Sequence, residues 1–144
     1  MEVKQILGLD VGQKHIGIAR ASTVSRLAEP LTTLKTSEGF GALNQTINKE
    51  AAAMVVVGLP RNLSGDDTAQ TAWVRDWVDK AKRHIKLPLY WQDEALTSKL
   101  AESYGSLRAG PKLGFKAAAD KHSLAAAIIL QDFLDAPEAE HILC

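Results

Sequence analysis

The sequence predicts an α/β domain with a five-stranded mixed sheet, in which an antiparallel meander is continued by parallel strands and helices cover both faces. Three observations predict it. A short apolar run is followed by Gly12 and a second apolar run, the pattern of a hairpin. Residues 54–59 (MVVVGL) form an uninterrupted apolar stretch stopped by Pro60, as in a central parallel strand covered on both faces. Segments of helical periodicity then alternate with strand-like ones.

Residues 6–9 read as a buried strand with Asp10 at its end, and residues 15–19 as the returning strand. Residues 28–35, with Pro30 near their start, suit a third strand at the edge of the meander. Residues 38–52 place Phe40, Leu43, Ile47 and Ala51 on one helical stripe. After the apolar strand, residues 61–67 form a loop turning at Ser64-Gly65, and residues 68–83 form a helix with Val74, Trp77, Val78 and Ala81 as apolar surface. Residues 87–92 give a fifth strand and residues 95–103 begin a helix. Residues 104–116 read as irregular because of Gly105, Gly110, Pro111 and Gly114. A final helix is expected from about residue 117 to 134, with Leu124, Ala127, Ile128 and Leu130 buried.

A chain of 144 residues fits one domain, spanning 1–144, with one core. Seventeen basic residues balance seventeen acidic ones, so nucleic-acid binding has to come from a local patch rather than a global field. The lone cysteine, Cys144, excludes an internal disulfide and points to a reducing compartment. The opening shows no signal-peptide pattern, and no apolar stretch is long enough to span a membrane. A cytoplasmic protein is expected.

Asp10 is the most informative residue. A carboxylate at the tip of a central strand loses the water it prefers and needs a partner or a cation. The mixed sheet brings three strand ends to one edge, carrying Asp10, the segment Pro60-Arg61, and Asp93-Glu94. Lys14 and His15 sit on the hairpin turn beside Asp10. Arg108, Lys112, Lys116 and Lys121 concentrate positive charge before the last helix, where a phosphate backbone is the expected partner. Gly58 and the loop at Arg61 and Asn62 would let a nucleic-acid strand approach the main chain. Asp66, Asp67 and Asp93 read as helix-capping residues, and Trp73, Trp77 and Trp91 as packing residues.

Four segments in register resemble the YqgF/RuvX family of Holliday-junction resolvase-like proteins. They are residues 9–19 (LDVGQKHIGIA), 56–65 (VVGLPRNLSG), 93–98 (DEALTS) and 123–131 (SLAAAIILQ). The resemblance implies a ribonuclease H-like fold and metal-dependent hydrolysis of nucleic-acid phosphodiesters. The substrate would be the 16S rRNA precursor, at its 5′ end, or branched DNA. It implies Asp10 and Glu94 as the first and second carboxylates and Mg2+ or Mn2+ as cofactor. Where the family has a third carboxylate this chain has His122, and where the family has Arg after Asp-Glu it has Ala95. His122 then stands as a metal ligand through a neutral imidazole or as a proton shuttle. Asp120 replaces the missing acid only if the helix starts after it. A nuclease fold that binds nucleic acid or the ribosome without cleaving is the alternative. An ATP-binding actin-like domain needs two such units and does not fit this length. A monomer serves end trimming, whereas junction resolution needs a homodimer.

Overall fold

The computed structural model describes residues 3–62, 64–94, 120–138 and 141–144. Their elements are β1 (Gln5–Val11), β2 (His15–Ser22), β3 (Glu29–Lys35), α1 (Gly39–Glu50), β4 (Ala52–Pro60), α2 (Ala69–Ala81), β5 (Leu89–Glu94), α3 (Lys121–Asp135) and β6 (Ile142–Leu143). A 3-10 turn at Thr36–Glu38 leads into α1. They form one mixed sheet in the order β3-β2-β1-β4-β5-β6. β1, β2 and β3 are an antiparallel meander, β4 and β5 add in parallel, and the two-residue β6 runs antiparallel on β5. The sheet thus has six strands where five were expected. β6 is too short to carry a periodic signal.

Alternation along the strands assigns every residue to a face. Leu7, Leu9, Val11, Ile16, Ile18, Val55 and Val57 pack with Leu43 and Ile47 of α1 and with Val74, Trp77 and Val78 of α2. Ile6, Ala19, Ala21 and Val56 point the other way and pack with Ala126, Ile129, Leu130 and Phe133 of α3. Both faces of β1 and β4 are therefore dry, which is why their sequences read as continuous apolar runs. The helix ends follow local chemistry. Thr68 caps α2, its hydroxyl accepting from Thr71 N while Thr71 Oγ1 accepts from Thr68 N. The Thr71 hydroxyl also donates to the Pro60 carbonyl and so ties α2 to the end of β4. Capping by Asp66 or Asp67 is thereby corrected. α1 ends at Ala51, a left-handed residue.

α3 starts at Lys121, not near residue 117. Asp120 is extended (φ −80°, ψ 169°), and its carboxylate accepts from Ser123 N at 2.8 Å and Ser123 Oγ at 2.9 Å. Two glycines allow α3 to lie close on the sheet. A Cβ on Gly8 would stand 2.6 Å from Leu130 Cβ, and one on Gly17 would stand 2.9 Å from Ser123 N and closer still to the His122 carbonyl. Among the described residues, no helix is long and apolar enough to cross a membrane.

Candidate active site

Asp10 lies on the α3 face of β1, two residues beyond Gly8. Its partner across the hairpin is Gly17, the residue on which the first turn of α3 rests. The β1–β4 register pairs Leu9 with Val57, and the β4–β5 register pairs Gly58 with Gln92 and Pro60 with Glu94. Continued by one residue, this register puts Asp10, Gly58 and Gln92 in one row, with Glu94 two residues further along. Asp10 and Glu94 therefore share a face at the carboxyl ends of their strands. Two strand spacings and a two-residue offset separate their Cα atoms by about 12 Å. Gly58 between them presents no side chain, and its place is taken by Ile129 Cδ1.

The two acids sit in dry surroundings. Glu94 is only 8% exposed. Burial pushes the Asp10 carboxyl up from 3.8 to about 6. Among the described residues no cation forms an ion pair with Asp10; the arginines and lysine that pair serve Glu29, Glu50, Asp67, Asp76 and Asp93. The hairpin that presents Asp10 is fixed by its backbone: Gly12 N donates to His15 O at 2.9 Å, and the Thr36 hydroxyl donates to Gly12 O at 2.7 Å.

His122, in the first turn of α3, comes to the same rim. Its ring stacks on His15 with centroids 4.6 Å apart and planes inclined by 24°. Burial and the neighbouring His15 lower its pKa, against the pull of Asp120, so the neutral imidazole is favoured. Asp120 does begin before the helix, as its role as third acid requires, but its Oδ1 is engaged by Ser123 and by the Thr33 hydroxyl at 2.9 Å. Burial raises its pKa, yet these hydrogen bonds outweigh burial and hold it below the usual carboxylate value. Among the described residues, no three His, Cys, Asp or Glu side chains are gathered closely enough to cage a metal.

The expected nucleic-acid contacts divide. Lys14 is exposed on the hairpin turn beside Asp10, its carbonyl accepting from Thr36 N at 2.9 Å. Arg61 is held in its loop: Nη1 donates to Gly65 O at 3.2 Å, and Nε lies 3.4 Å from Asp67 and 3.6 Å from Asp93. Asn62 shapes that loop, its side-chain oxygen accepting from Ser64 N at 3.0 Å and Asp66 N at 2.9 Å. Arg108, Lys112 and Lys116 lie outside the described residues, as do the helix expected at 95–103 and the irregular stretch after it. Sequence reasoning missed the stacking of His15 on His122. It had no signal to follow, because the two residues are brought together only by the seating of α3 on Gly17.

Known proteins resemble this chain in sequence and in fold. The family model described as "RuvX: Holliday junction resolvase" matches residues 4–136. A protein of Chloroflexus aggregans named "Putative pre-16S rRNA nuclease" is 39% identical over 142 residues, covering 94% of this chain and 96% of its own length. A protein of the same name from Thermoanaerobacter pseudethanolicus is 36% identical over 135 residues, covering 91% of this chain and 96% of its own. Among solved structures, T. thermophilus RuvC in complex with a Holliday junction substrate superposes with a TM-score of 0.68 at 17% identity, covering 98% of this chain and 99% of that one. A second Thermus thermophilus RuvC structure gives 0.63, also at 17% identity. At that identity the likeness shows the fold alone, and the fold is that of RuvC.

Proposed function

Because this chain belongs to the RuvX Holliday junction resolvase family, we propose that it is a nuclease whose acidic rim, built by Asp10 and Glu94, cleaves a phosphodiester of structured nucleic acid. The names of its relatives favour the 16S rRNA precursor as substrate, and the family description keeps branched DNA as the alternative.

The observation that carries this reading is the placement of Asp10 and Glu94 on one face at the carboxyl ends of their strands; burial pushes Asp10 up to about 6, and among the described residues no cation forms an ion pair with it. Two carboxylates on one face offer the hard oxygen donors that Mg2+ or Mn2+ prefer. That donor set fits a divalent cation, which when bound would activate water and offset charge on the cleaved phosphate. Asp10, fixed by β1 and the turn hydrogen bonds, is the rigid ligand, and Glu94 is the second. His122 serves as a further nitrogen ligand or accepts a proton as a neutral imidazole, oriented by His15. Lys14 on the exposed turn, and Arg61 with Asn62 on the loop after β4, position the strand. Arg108, Lys112 and Lys116 extend that contact in this proposal.

Cleavage of a 16S rRNA precursor fragment and of a four-way DNA junction, each with Mg2+, Mn2+ or EDTA, tests the reading. Cleavage should require the ion and fall more than about a hundredfold in Asp10→Asn and Glu94→Gln. Cleavage that persists in EDTA or in Asp10→Asn would overturn it. Tight binding without cleavage under either ion would favour a non-cleaving module, a reading motivated by His122 at the family's third carboxylate position.

A further inference from the structure

On the outer edge of β5 the described residues form a cleft of about 260 Å³ whose polar and aromatic lining is Arg61, Arg75, Trp91, Gln92 and Asp93, with Leu59, Ala136 and Ile142 completing it. It borders β6, which among the described residues pairs with Tyr90 and Trp91. The cleft's lining residue Asp93 directly precedes Glu94, while alternation puts Trp91 and Asp93 on the α2 face of β5 and Glu94 on the α3 face.

The chemistry of this cleft is unusual for a packing defect. Trp91 is partly exposed, and the Arg75 guanidinium carbon stands 5.8 Å from its ring centroid. Arg61 Nε is buried and has no hydrogen-bond partner among the described residues. Its carboxylate neighbours, Asp67 at 3.4 Å and Asp93 at 3.6 Å, are near enough to orient it electrostatically but do not meet hydrogen-bond geometry. Arg75 Nη2 is likewise 3.5 Å from Asp67. Two guanidiniums are thus aimed by acids that leave donors unspent, and phosphate oxygens are what such forks bind best. The guanidinium lies over the Trp91 ring, and a planar guanidinium backed by an aromatic ring presents its own outer face, on which any nucleobase can stack. A purely structural role explains Trp91 packing on the core and Arg61 Nε between two acids, but not the open cleft flanked by two guanidiniums.

We propose that this cleft holds one unpaired nucleotide of the substrate strand, its base against Trp91 and Arg75 and its phosphate on Arg61. The strand would then pass over the edge of β5 toward Glu94 on the opposite face. This deepens the nuclease reading and rests on it for its purpose, though not for its test.

The test is equilibrium binding by full-length Asp10→Asn protein, which removes cleavage from the measurement. The probes are hairpins with a three-nucleotide overhang or a blunt end, in RNA and in DNA. Trp91→Ala should weaken overhang binding about tenfold, the order expected for one lost base stack, while leaving blunt hairpins unchanged. Trp91→Phe should restore most of the loss, Arg75→Ala should weaken overhang binding several-fold, and Asp67→Asn should tighten it. If Trp91→Ala fails to fold, Arg75→Ala decides, because that side chain is 42% exposed and its removal leaves the core intact. Overhang and blunt hairpins weakened equally, no effect of Arg75→Ala, or no overhang binding at all would overturn the proposal. Preference of RNA over DNA overhangs, or the reverse, identifies the source of the nucleotide. Loss of cleavage in the wild type with overhang discrimination intact would sink the nuclease reading and leave the cleft standing.

Discussion

Replacing Asp10 with Asn should make the protein more stable while destroying its activity. In the unfolded chain the Asp10 carboxyl ionises near 3.8, whereas in the folded protein burial keeps it protonated up to about 6. The stability associated with its proton is fully present below 3.8 and is lost as pH rises through about 6. Above pH 7 the ionised group costs the fold up to about 3 kcal/mol, at 1.36 kcal/mol per pH unit between those two values. Asn is nearly isosteric and carries no charge, so in EDTA at pH 8 the variant should gain up to that amount. For a domain of this size the gain corresponds to a rise in Tm of roughly 6–10 °C. The gain should shrink steadily as pH falls toward 4. Added Mn2+ should raise the Tm of the wild type and leave the variant where it was. Thermal melts of both proteins between pH 4 and 8, with and without the ion, measure all three effects. A variant no more stable than the wild type at pH 8, or a gain independent of pH, would refute the reasoning. Such a trade of stability against function is the ordinary signature of a site strained for chemistry.

Three further substitutions probe the framework behind the site. Gly17→Ala drives a methyl group into the backbone of His122 and Ser123, so urea unfolding should show a loss of about 2 kcal/mol or more. Gly41→Ala, inside α1 with nothing within 4 Å of the new methyl group, should instead gain about 0.5–1 kcal/mol in the same assay. Asp120→Ala removes the cap of α3 and the link to Thr33, and should cost about 1–2 kcal/mol. If Asp120 were the third metal acid, that change would abolish cleavage; as a cap it should leave measurable ion-dependent activity.

The order of strands and helices was legible because the sheet is dry on both faces at its centre. Continuous runs such as residues 54–59 have few other readings. Asp10 stood out for the same reason, as a charge where burial makes charge costly. Boundaries were less legible. The strand expected at 87–92 runs instead from Leu89 to Glu94, because its register is set by pairing with β4 rather than by its own weakly alternating residues. The start of α3 was placed too early because its alanines are good helix formers, while the side chain of Asp120 stops the helix by capping it. Asp66 and Asp67 looked like caps by composition, but Thr68 and Thr71 satisfy the helix end and release Asp67 for the arginines. Trp91 gave no hint of an open cleft. The cleft is lined in part by Ile142 of β6, and a two-residue strand leaves no trace in the sequence.

The account stands on one cation held jointly by Asp10 and Glu94. Anomalous diffraction from crystals grown with saturating Mn2+ tests it most directly. A peak in contact with both carboxylates, absent from crystals of Asp10→Asn, is the predicted result. A Mn2+ peak that avoids Asp10, or no ordered ion at either acid in otherwise well-ordered crystals, would contradict it.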